Sequence, residues 1–255
     1  MFRAMFMAIS TYSCIPVPLV KWEEKHMRYV LCWFPVVGVL VGFFQWLWMW
    51  FSAYVHAGTL LRAVVCTALP VFITGGIHMD GFLDTVDAKR SFRSIEERLR
   101  ILKDPHTGAF ALLYGILYLL LVMGLFSELT RRQFPYVVSG YVYSRMLSAL
   151  SVVTLKKAKP DGMLADTANA SDRSVRWILW AELLCFAVGV LVFGFCHRLE
   201  GGLLSAVCCL LSGILCFIYY RHMAYRWFGG ITGDLAGYFL QMCELWVLAA
   251  AIAAG

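Results

Sequence analysis

Three aspartates and a histidine lie close together where a long apolar segment ends: His78, Asp80, Asp84 and Asp87, within residues 75–87. In a helix, the i, i+4 and i+7 spacing places the aspartates on one narrow face. Like charges so close repel one another, and Mg²⁺ relieves such repulsion by binding carboxylates together with substrate phosphates. The pattern therefore predicts metal-assisted chemistry on a phosphate, with the three aspartates as metal ligands and catalytic residues.

His78 is a fourth catalytic candidate, because histidine binds metals, contacts phosphates and transfers protons. Each of these residues also has a purely structural interpretation: a solvated acidic helix end, or an ordinary interfacial histidine. We favour the metal interpretation for the aspartates, since a bilayer penalises charges that stand among apolar neighbours. For His78 the sequence favours neither interpretation.

A second polar segment, residues 103–108, carries three candidates for substrate binding: Lys103, Asp104 and His106. A lysine, a histidine and free backbone amides at a helix start suit an anion. Pro105 is typical of the first helical turn, so a helix is expected to begin there. A plain helix cap is the alternative.

Two more loops supply the remaining candidates on this side of the chain. Gly233 and Asp234 belong to a glycine-rich loop, residues 229–234, and Lys159 belongs to a basic loop, residues 156–162. We expect both loops to contribute to substrate binding. An ordinary loop, and simple anchoring of the basic loop at the membrane surface, remain open as alternatives.

The elements that position these residues are predicted to be membrane helices. The 255 residues are 61% hydrophobic and 15% charged, whereas soluble domains are about 45–50% apolar and about 25% charged. Since about 20 apolar residues span a bilayer, the chain is predicted to be one all-α, polytopic integral membrane domain (1–255) with about seven transmembrane helices. The charge-poor runs that predict them are 29–61, 63–79, 105–127, 133–155, 177–196, 201–220 and 235–255.

The distribution of basic residues predicts the orientation. With the N-terminus in the cytoplasm, 16 of the 22 Lys and Arg residues fall in cytoplasmic segments and 3 in outer loops, as the positive-inside rule requires. All the loop and helix-end candidates then face the cytoplasm, from the cytoplasmic (inner) membrane. A short amphipathic surface helix is expected within residues 91–103, where Ser94 and Glu97 fit a capping box.

Two charged residues are predicted to lie deep in the membrane. Arg145 and Glu244 are each ten residues from a cytoplasmic end, or roughly 15 Å deep. Because an unpaired charge is costly there, we expect an ion pair, direct or through a polar partner such as Gln241. The pair either holds helices together or lines a cavity that a large substrate reaches.

The chain resembles the cobamide synthase family, the adenosylcobinamide-GDP ribazoletransferases. The resemblance covers nearly the whole chain and is strongest at the acidic segment. The residues that carry it are 15–18, 34–38, 75–87, 103–104 with 108, 229–234 and 244. The chain departs from the family pattern at four places. Ala88 follows the acidic motif where a further Asp-Gly is usual, and His106 stands where arginine is common. Another arginine is common near Lys159, and Tyr238 follows Gly237 where a small residue is common.

The resemblance implies transfer of the corrinoid phosphoryl group from adenosylcobinamide-GDP to α-ribazole or its 5′-phosphate, with release of GMP and a need for Mg²⁺. It implies Asp80, Asp84 and Asp87 as metal ligands. Further roles follow: Asp104 and Asp234 for metal or the ribazole hydroxyl, and Lys103, His106 and Lys159 for phosphate. The bilayer is a partner and nucleic acid is not; a homo-oligomer and association with other corrinoid-assembly enzymes remain open.

Two other functions are weighed against this one. A CDP-alcohol phosphotransferase would also place clustered aspartates with Mg²⁺ at the cytoplasmic face. Its DGxxAR spacing is not met, because Asp84 and Thr85 stand where Ala and Arg would follow Asp80-Gly81. An ion transporter or channel would carry charges along a pore and at both faces, whereas most candidates here lie on one side.

Overall fold

The computed structural model describes residues 2–18, 20 and 24–255. Within these residues the chain forms helices and no β-strand; the one extended pairing is a parallel bridge between Lys157 and Ile231. The all-α prediction is therefore confirmed. The helices are α1 (Phe2–Tyr12), α2 (Glu24–Met27), α3 (Val30–Tyr54), α4 (Thr59–Thr74), α5 (Ile77–Arg90), α6 (Ile95–Ile101), α7 (Ala109–Glu128), α8 (Phe134–Thr154), α9 (Met163–Ala170), α10 (Arg173–Cys196), α11 (Gly202–Phe228) and α12 (Gly233–Ala254), with a 3-10 turn at Arg198–Glu200.

In the described part of the chain, five helices are long and apolar enough to cross a membrane: α3, α7, α10, α11 and α12. The bent pair α4–α5 makes a sixth if it is one span. The remaining one of the seven predicted spans is α8. At 21 residues it is long enough to cross a membrane, but Arg145 and four serines make it more polar than the other five helices. Arg145 and three of the serines (Ser144, Ser148 and Ser151) are buried, so these groups do not face lipid. The protein is a multi-pass membrane protein.

The predicted span 63–79 is interrupted. α4 ends at Thr74, and α5 begins at Ile77 after a turn of 96°. Gly75 and Gly76 form the turn with φ of 62° and 77°, a backbone region that residues with a β-carbon rarely adopt. The two glycines therefore separate the acidic helix from the apolar helix before it.

The centre of the bundle is α12, which packs against α5, α8 and α11. Its side chains Leu235, Phe239 and Cys243 are fully buried. In contrast, large apolar side chains on α3, α7, α10 and α11 are exposed, such as Trp46, Leu120, Trp177 and Leu215. This outward apolar surface fits a lipid environment.

The predicted amphipathic helix is confirmed as α6. The Ser94 hydroxyl accepts a hydrogen bond from the Glu97 amide, and the Glu97 carboxylate accepts one from the Ser94 amide, which completes the capping box. Arg98 donates to the carbonyl oxygen of Trp227 at 3.1 Å. This bond fastens α6 to the end of α11, next to the acidic helix.

Candidate active site

The acidic face of α5 is formed as the spacing predicts. Asp80 is exposed, and Asp84 and Asp87 are half-buried on the same helix. Asp234 joins them from the first turn of α12, because α5 and α12 touch there: a β-carbon on Gly81 would lie 2.7 Å from the carbonyl oxygen of Asp234. The missing side chain at Gly81 thus allows a fourth carboxylate to approach.

The four carboxylates lie close enough to act on one another electrostatically. Asp84 feels the negative charges of Asp80, Asp234 and Asp87. Among the residues with described side chains, none forms an ion pair with the three aspartates of α5. Such hard oxygen donors fit a divalent cation such as Mg²⁺.

The donors do not form a closed cage. No group of three His, Cys, Asp or Glu side chains within the described residues converges closely enough to hold a metal ion. Mg²⁺ is typically held by one or two carboxylates, with water and substrate phosphates completing its octahedral coordination. An open carboxylate face is therefore compatible with a cation that arrives with a phosphorylated substrate.

A cavity of about 330 Å³ opens beside this face. Six of the predicted site residues line it: His78, Asp80, Lys103, Lys159, Gly233 and Asp234. The structure therefore brings together candidates from four separate segments of the sequence. Asp84 and Asp87 lie outside the lining, further along α5. The Asp87 carboxylate occupies the space that a β-carbon on Gly108 would need.

Backbone pairing joins the basic loop to the glycine-rich loop. The Ala158 amide donates to the Ile231 carbonyl, and the Ile231 amide donates to the Lys156 carbonyl, both at 2.9 Å. Gly230 makes this possible, because a β-carbon there would lie 2.6 Å from the Ala158 nitrogen. The pairing places Lys159 on the same side of the cavity as Asp234.

Two lysines, Lys103 and Lys159, bring positive charge to the cavity wall. The Lys159 ammonium donates to the Leu99 carbonyl at 2.9 Å. Burial, followed by the charge of Lys103, lowers the pKa of Lys159 below its ordinary 10.5, while Asp234 and Asp161 act in the opposite direction. Two ammonium groups that repel one another form a suitable site for a phosphate.

His78 lies in the interior wall of the cavity. It is 4% exposed, and both ring nitrogens are buried without a hydrogen-bond partner among the described residues. Its ring stands beside Tyr12, with centroids 6.4 Å apart, and beside Phe34, with centroids 6.0 Å apart. His78 therefore packs against two aromatic rings in the cavity wall, with both ring nitrogens unsatisfied by the described residues.

Asp104 and His106 lie outside the cavity lining and pair with each other. The Asp104 carboxylate accepts from the His106 amide at 3.0 Å and contacts the ring nitrogen at 2.7 Å; these contacts lower the pKa of Asp104. This local turn competes with helix formation, so α7 begins at Ala109 after Gly108. The predicted helix start at Pro105 was wrong by four residues.

The predicted ion pair between Arg145 and Glu244 is confirmed as a direct contact. The Arg145 side chain is 1% exposed and that of Glu244 is 9% exposed. Arg145 also donates to the Tyr141 carbonyl at 3.1 Å and to the Ser144 hydroxyl at 3.0 Å. Neither charge lines the cavity, so their contact with substrate stays a prediction.

Several cavity residues were missed from the sequence. Tyr12, Phe34, Asp161 and Thr232 line the cavity but were not among the candidates. The basic loop, residues 156–162, was predicted, but not α9 directly after it, which closes one side of the cavity. A short apolar run after Gly162 was the available signal for α9; no pattern in one sequence indicates that α1 reaches the cavity.

Comparison with known proteins shows the family to which the chain belongs. Residues 4–252 match the family model described as cobalamin-5-phosphate synthase. A protein named adenosylcobinamide-GDP ribazoletransferase from Lachnoclostridium phytofermentans is 42% identical over 99% of this chain and 95% of its own. A relative of the same name from Clostridium botulinum strain Alaska E43 is 30% identical over 96% of this chain and 95% of its own. Another, from Geobacillus kaustophilus, is 30% identical over 94% of this chain and 92% of its own. No solved structure matches the chain. The chain belongs to the cobalamin-5-phosphate synthase family.

Proposed function

We propose that this protein is an adenosylcobinamide-GDP ribazoletransferase that assembles the nucleotide loop of cobalamin. It joins adenosylcobinamide-GDP to α-ribazole or α-ribazole 5′-phosphate, releases GMP, and yields adenosylcobalamin or its 5′-phosphate. Family membership over residues 4–252 supports this function. The observation that carries it is one cavity lined by carboxylates from α5 and α12 and by two lysines.

The reaction is a displacement at phosphorus. A ribose hydroxyl oxygen of the acceptor bonds to the phosphorus next to cobinamide, and the bond from that phosphorus to the bridging oxygen of the diphosphate breaks. GMP leaves with the bridging oxygen. We assign the hydroxyl proton to Asp234, whose carboxylate lies in the cavity wall beside Thr232.

The basic side chains position the diphosphate. Lys103 and Lys159 line the cavity together with Asp80 and Asp234. Their ammonium groups bind phosphate oxygens and hold the reacting phosphorus close to the acceptor, because phosphoryl transfer depends mainly on positioning and electrostatics. The bond from Lys159 to the Leu99 carbonyl restricts this side chain before substrate binds.

We further propose that Asp80, Asp84 and Asp87 hold Mg²⁺. When bound, this cation supplies positive charge for the diphosphate oxygens. The mutual repulsion of the carboxylates and the lack of a basic partner, noted above, support this assignment. The sparse basic residues in the outer loops support a cytoplasmic membrane location with the site facing the cytoplasm.

Turnover by the purified protein tests this function. The protein in nanodiscs receives adenosylcobinamide-GDP, α-ribazole 5′-phosphate and Mg²⁺, and GMP and corrinoid products are followed by chromatography and mass spectrometry. We expect GMP and a corrinoid carrying the nucleotide loop in equal amounts. Absence of both from a monodisperse sample would contradict the proposal, and CDP-alcohol substrates would then be tested.

A further inference from the structure

The cavity beside α5 has two chemically different ends. One end is exposed and charged, with Asp80, Lys103 and Asp161 at its surface. The other end is buried and apolar: Leu31, Phe34, Val152, Ala165 and Leu240 there are each at most 6% exposed. A ligand that fills the cavity therefore has an apolar group at one end and a polar or charged group at the other.

The apolar end contains one unsatisfied polar side chain, His78. Burying a polar group without a hydrogen bond is costly, and neither ring nitrogen has a partner among the described residues. A histidine ring can donate from one nitrogen and accept at the other. The Tyr12, Phe34 and His78 rings pack together, with centroids 4.4–6.4 Å apart. This geometry calls for a mostly apolar, aromatic ligand with few polar atoms that lies against this ring cluster.

The size and polarity of the cavity decide which part of the two substrates it can hold. At about 330 Å³, the cavity is at the lower end of the range for small-molecule sites, roughly 300–1,000 Å³, so a corrin macrocycle does not fit. Guanine carries a carbonyl, an amino group and ring nitrogens, which would each need a partner on burial. A benzimidazole base bound to ribose has one free ring nitrogen and otherwise apolar edges.

We propose that this cavity is the acceptor subsite and that its buried end recognises the benzimidazole-type base of the ribazole. This inference rests on the proposed function and deepens it. The base lies against Tyr12 and Phe34, and His78 donates a hydrogen bond to its free ring nitrogen. The ribose then points towards Asp234 at the polar end, and the diphosphate substrate approaches from outside the cavity.

Two changes at the apolar end test the subsite. His78→Leu removes the donor, and Ala165→Leu fills part of the cavity from α9. We expect each to raise the KM for α-ribazole about tenfold, the effect of losing one hydrogen bond or a comparable contact, with the KM for adenosylcobinamide-GDP unchanged. His78→Asn, which keeps a donor, is expected to recover part of the affinity.

Base size gives a second readout. Ala165→Leu is expected to penalise 5,6-dimethylbenzimidazole riboside more than the unsubstituted benzimidazole riboside, because the smaller base needs less of the cavity. His197→Leu, at an exposed histidine outside the cavity lining, is the matched control. An unchanged α-ribazole KM in both cavity variants, or a rise in the KM for adenosylcobinamide-GDP alone, would overturn the subsite.

Calorimetric binding of α-ribazole in nanodiscs separates this inference from the proposed function. If the parent protein turns over and the cavity variants keep its KM for α-ribazole, the proposed function is supported and the subsite is contradicted. Binding that is lost in Ala165→Leu, without turnover by the parent protein, would support the subsite and contradict the function. Neither turnover nor binding by the folded parent protein would contradict both. Ala165→Leu decides the result if His78→Leu is not monodisperse.

Discussion

Gly81 of α5 lies directly against the backbone of Asp234 at the start of α12. A β-carbon on Gly81 would meet the Asp234 carbonyl oxygen at 2.7 Å and its α-carbon at 3.0 Å. Helices approach this closely in membranes where small residues line the interface. The contact couples the acidic helix to the carboxylate on α12. The distance between α5 and Asp234 therefore depends on Gly81 having no side chain.

We therefore expect Gly81→Ala to abolish most of the turnover while the protein still inserts and folds. The added methyl group forces α5 and α12 apart, a cost of about 1–3 kcal/mol, and displaces Asp80 from Asp234. Turnover and thermal unfolding in detergent are measured together. Gly189→Ala is the matched control, since a β-carbon there meets nothing within 4 Å. Equal activity in the two variants would refute the coupling.

The buried pair of Arg145 and Glu244 is expected to control stability. Removal of either partner leaves an uncompensated buried charge, which costs roughly 3–5 kcal/mol. Arg145→Glu combined with Glu244→Arg restores opposite charges at the same positions. The double variant should therefore show a higher thermal midpoint in detergent than either single variant; a midpoint no higher would indicate that the pair is not the stabilising contact.

The end of the acidic helix is held by Lys89. Its ammonium donates to the Tyr219 hydroxyl at 2.6 Å and stands 5.0 Å from the Trp227 ring centroid, a cation–π distance. Lys89→Met is expected to lower stability by about 1–3 kcal/mol, from the lost charged hydrogen bond and ring contact. Thermal unfolding measures the loss. Lys156→Met, at an exposed lysine, should have little effect, and equal losses would argue against the role of Lys89.

Alkaline pH is expected to weaken substrate binding through Lys159. The pKa of this lysine lies below 10.5 in the folded protein, so the ammonium loses its proton at a lower pH than a free lysine does. The positive charge is present below that pKa and is lost as pH rises through it. The kcat/KM for adenosylcobinamide-GDP should fall along this limb, and Lys159→Arg should move the fall to higher pH because arginine stays charged. If the alkaline fall of kcat/KM occurs at the same pH in Lys159→Arg as in the parent, Lys159 is not the group that causes it.

Much of the fold follows from the positions of apolar and charged residues along the sequence. Charge-free runs predict where helices lie in a membrane, because ionised groups are costly there. Equal depth and opposite charge were enough to predict the pairing of Arg145 with Glu244. Periodicity also predicted the shared face of the three aspartates, since helical geometry determines it.

What the sequence did not predict depends on tertiary contacts. Hydropathy does not reveal the turn at Gly75 and Gly76, because residues 63–79 form one uninterrupted apolar run. The approach of α12 to α5 follows from backbone contact at Gly81, and the pairing of Lys157 with Ile231 joins residues 74 positions apart. Hydrophobic patterns carry no information about such partners, so the cavity walls from α1 and α9 were missed.

The most direct test of the central claim is the Mg²⁺ dependence of GMP release in Asp84→Asn. This variant is nearly isosteric and removes one negative charge from the acidic face. Loss of an outer-shell partner of a metal ligand already costs about 10–100-fold, so we expect at least a hundredfold loss, while Asp166→Asn on α9 behaves as the parent. Chelation should abolish release by the parent, and added Mg²⁺ should restore it. Full Mg²⁺-dependent turnover by Asp84→Asn, or turnover by the parent after chelation, would contradict the account.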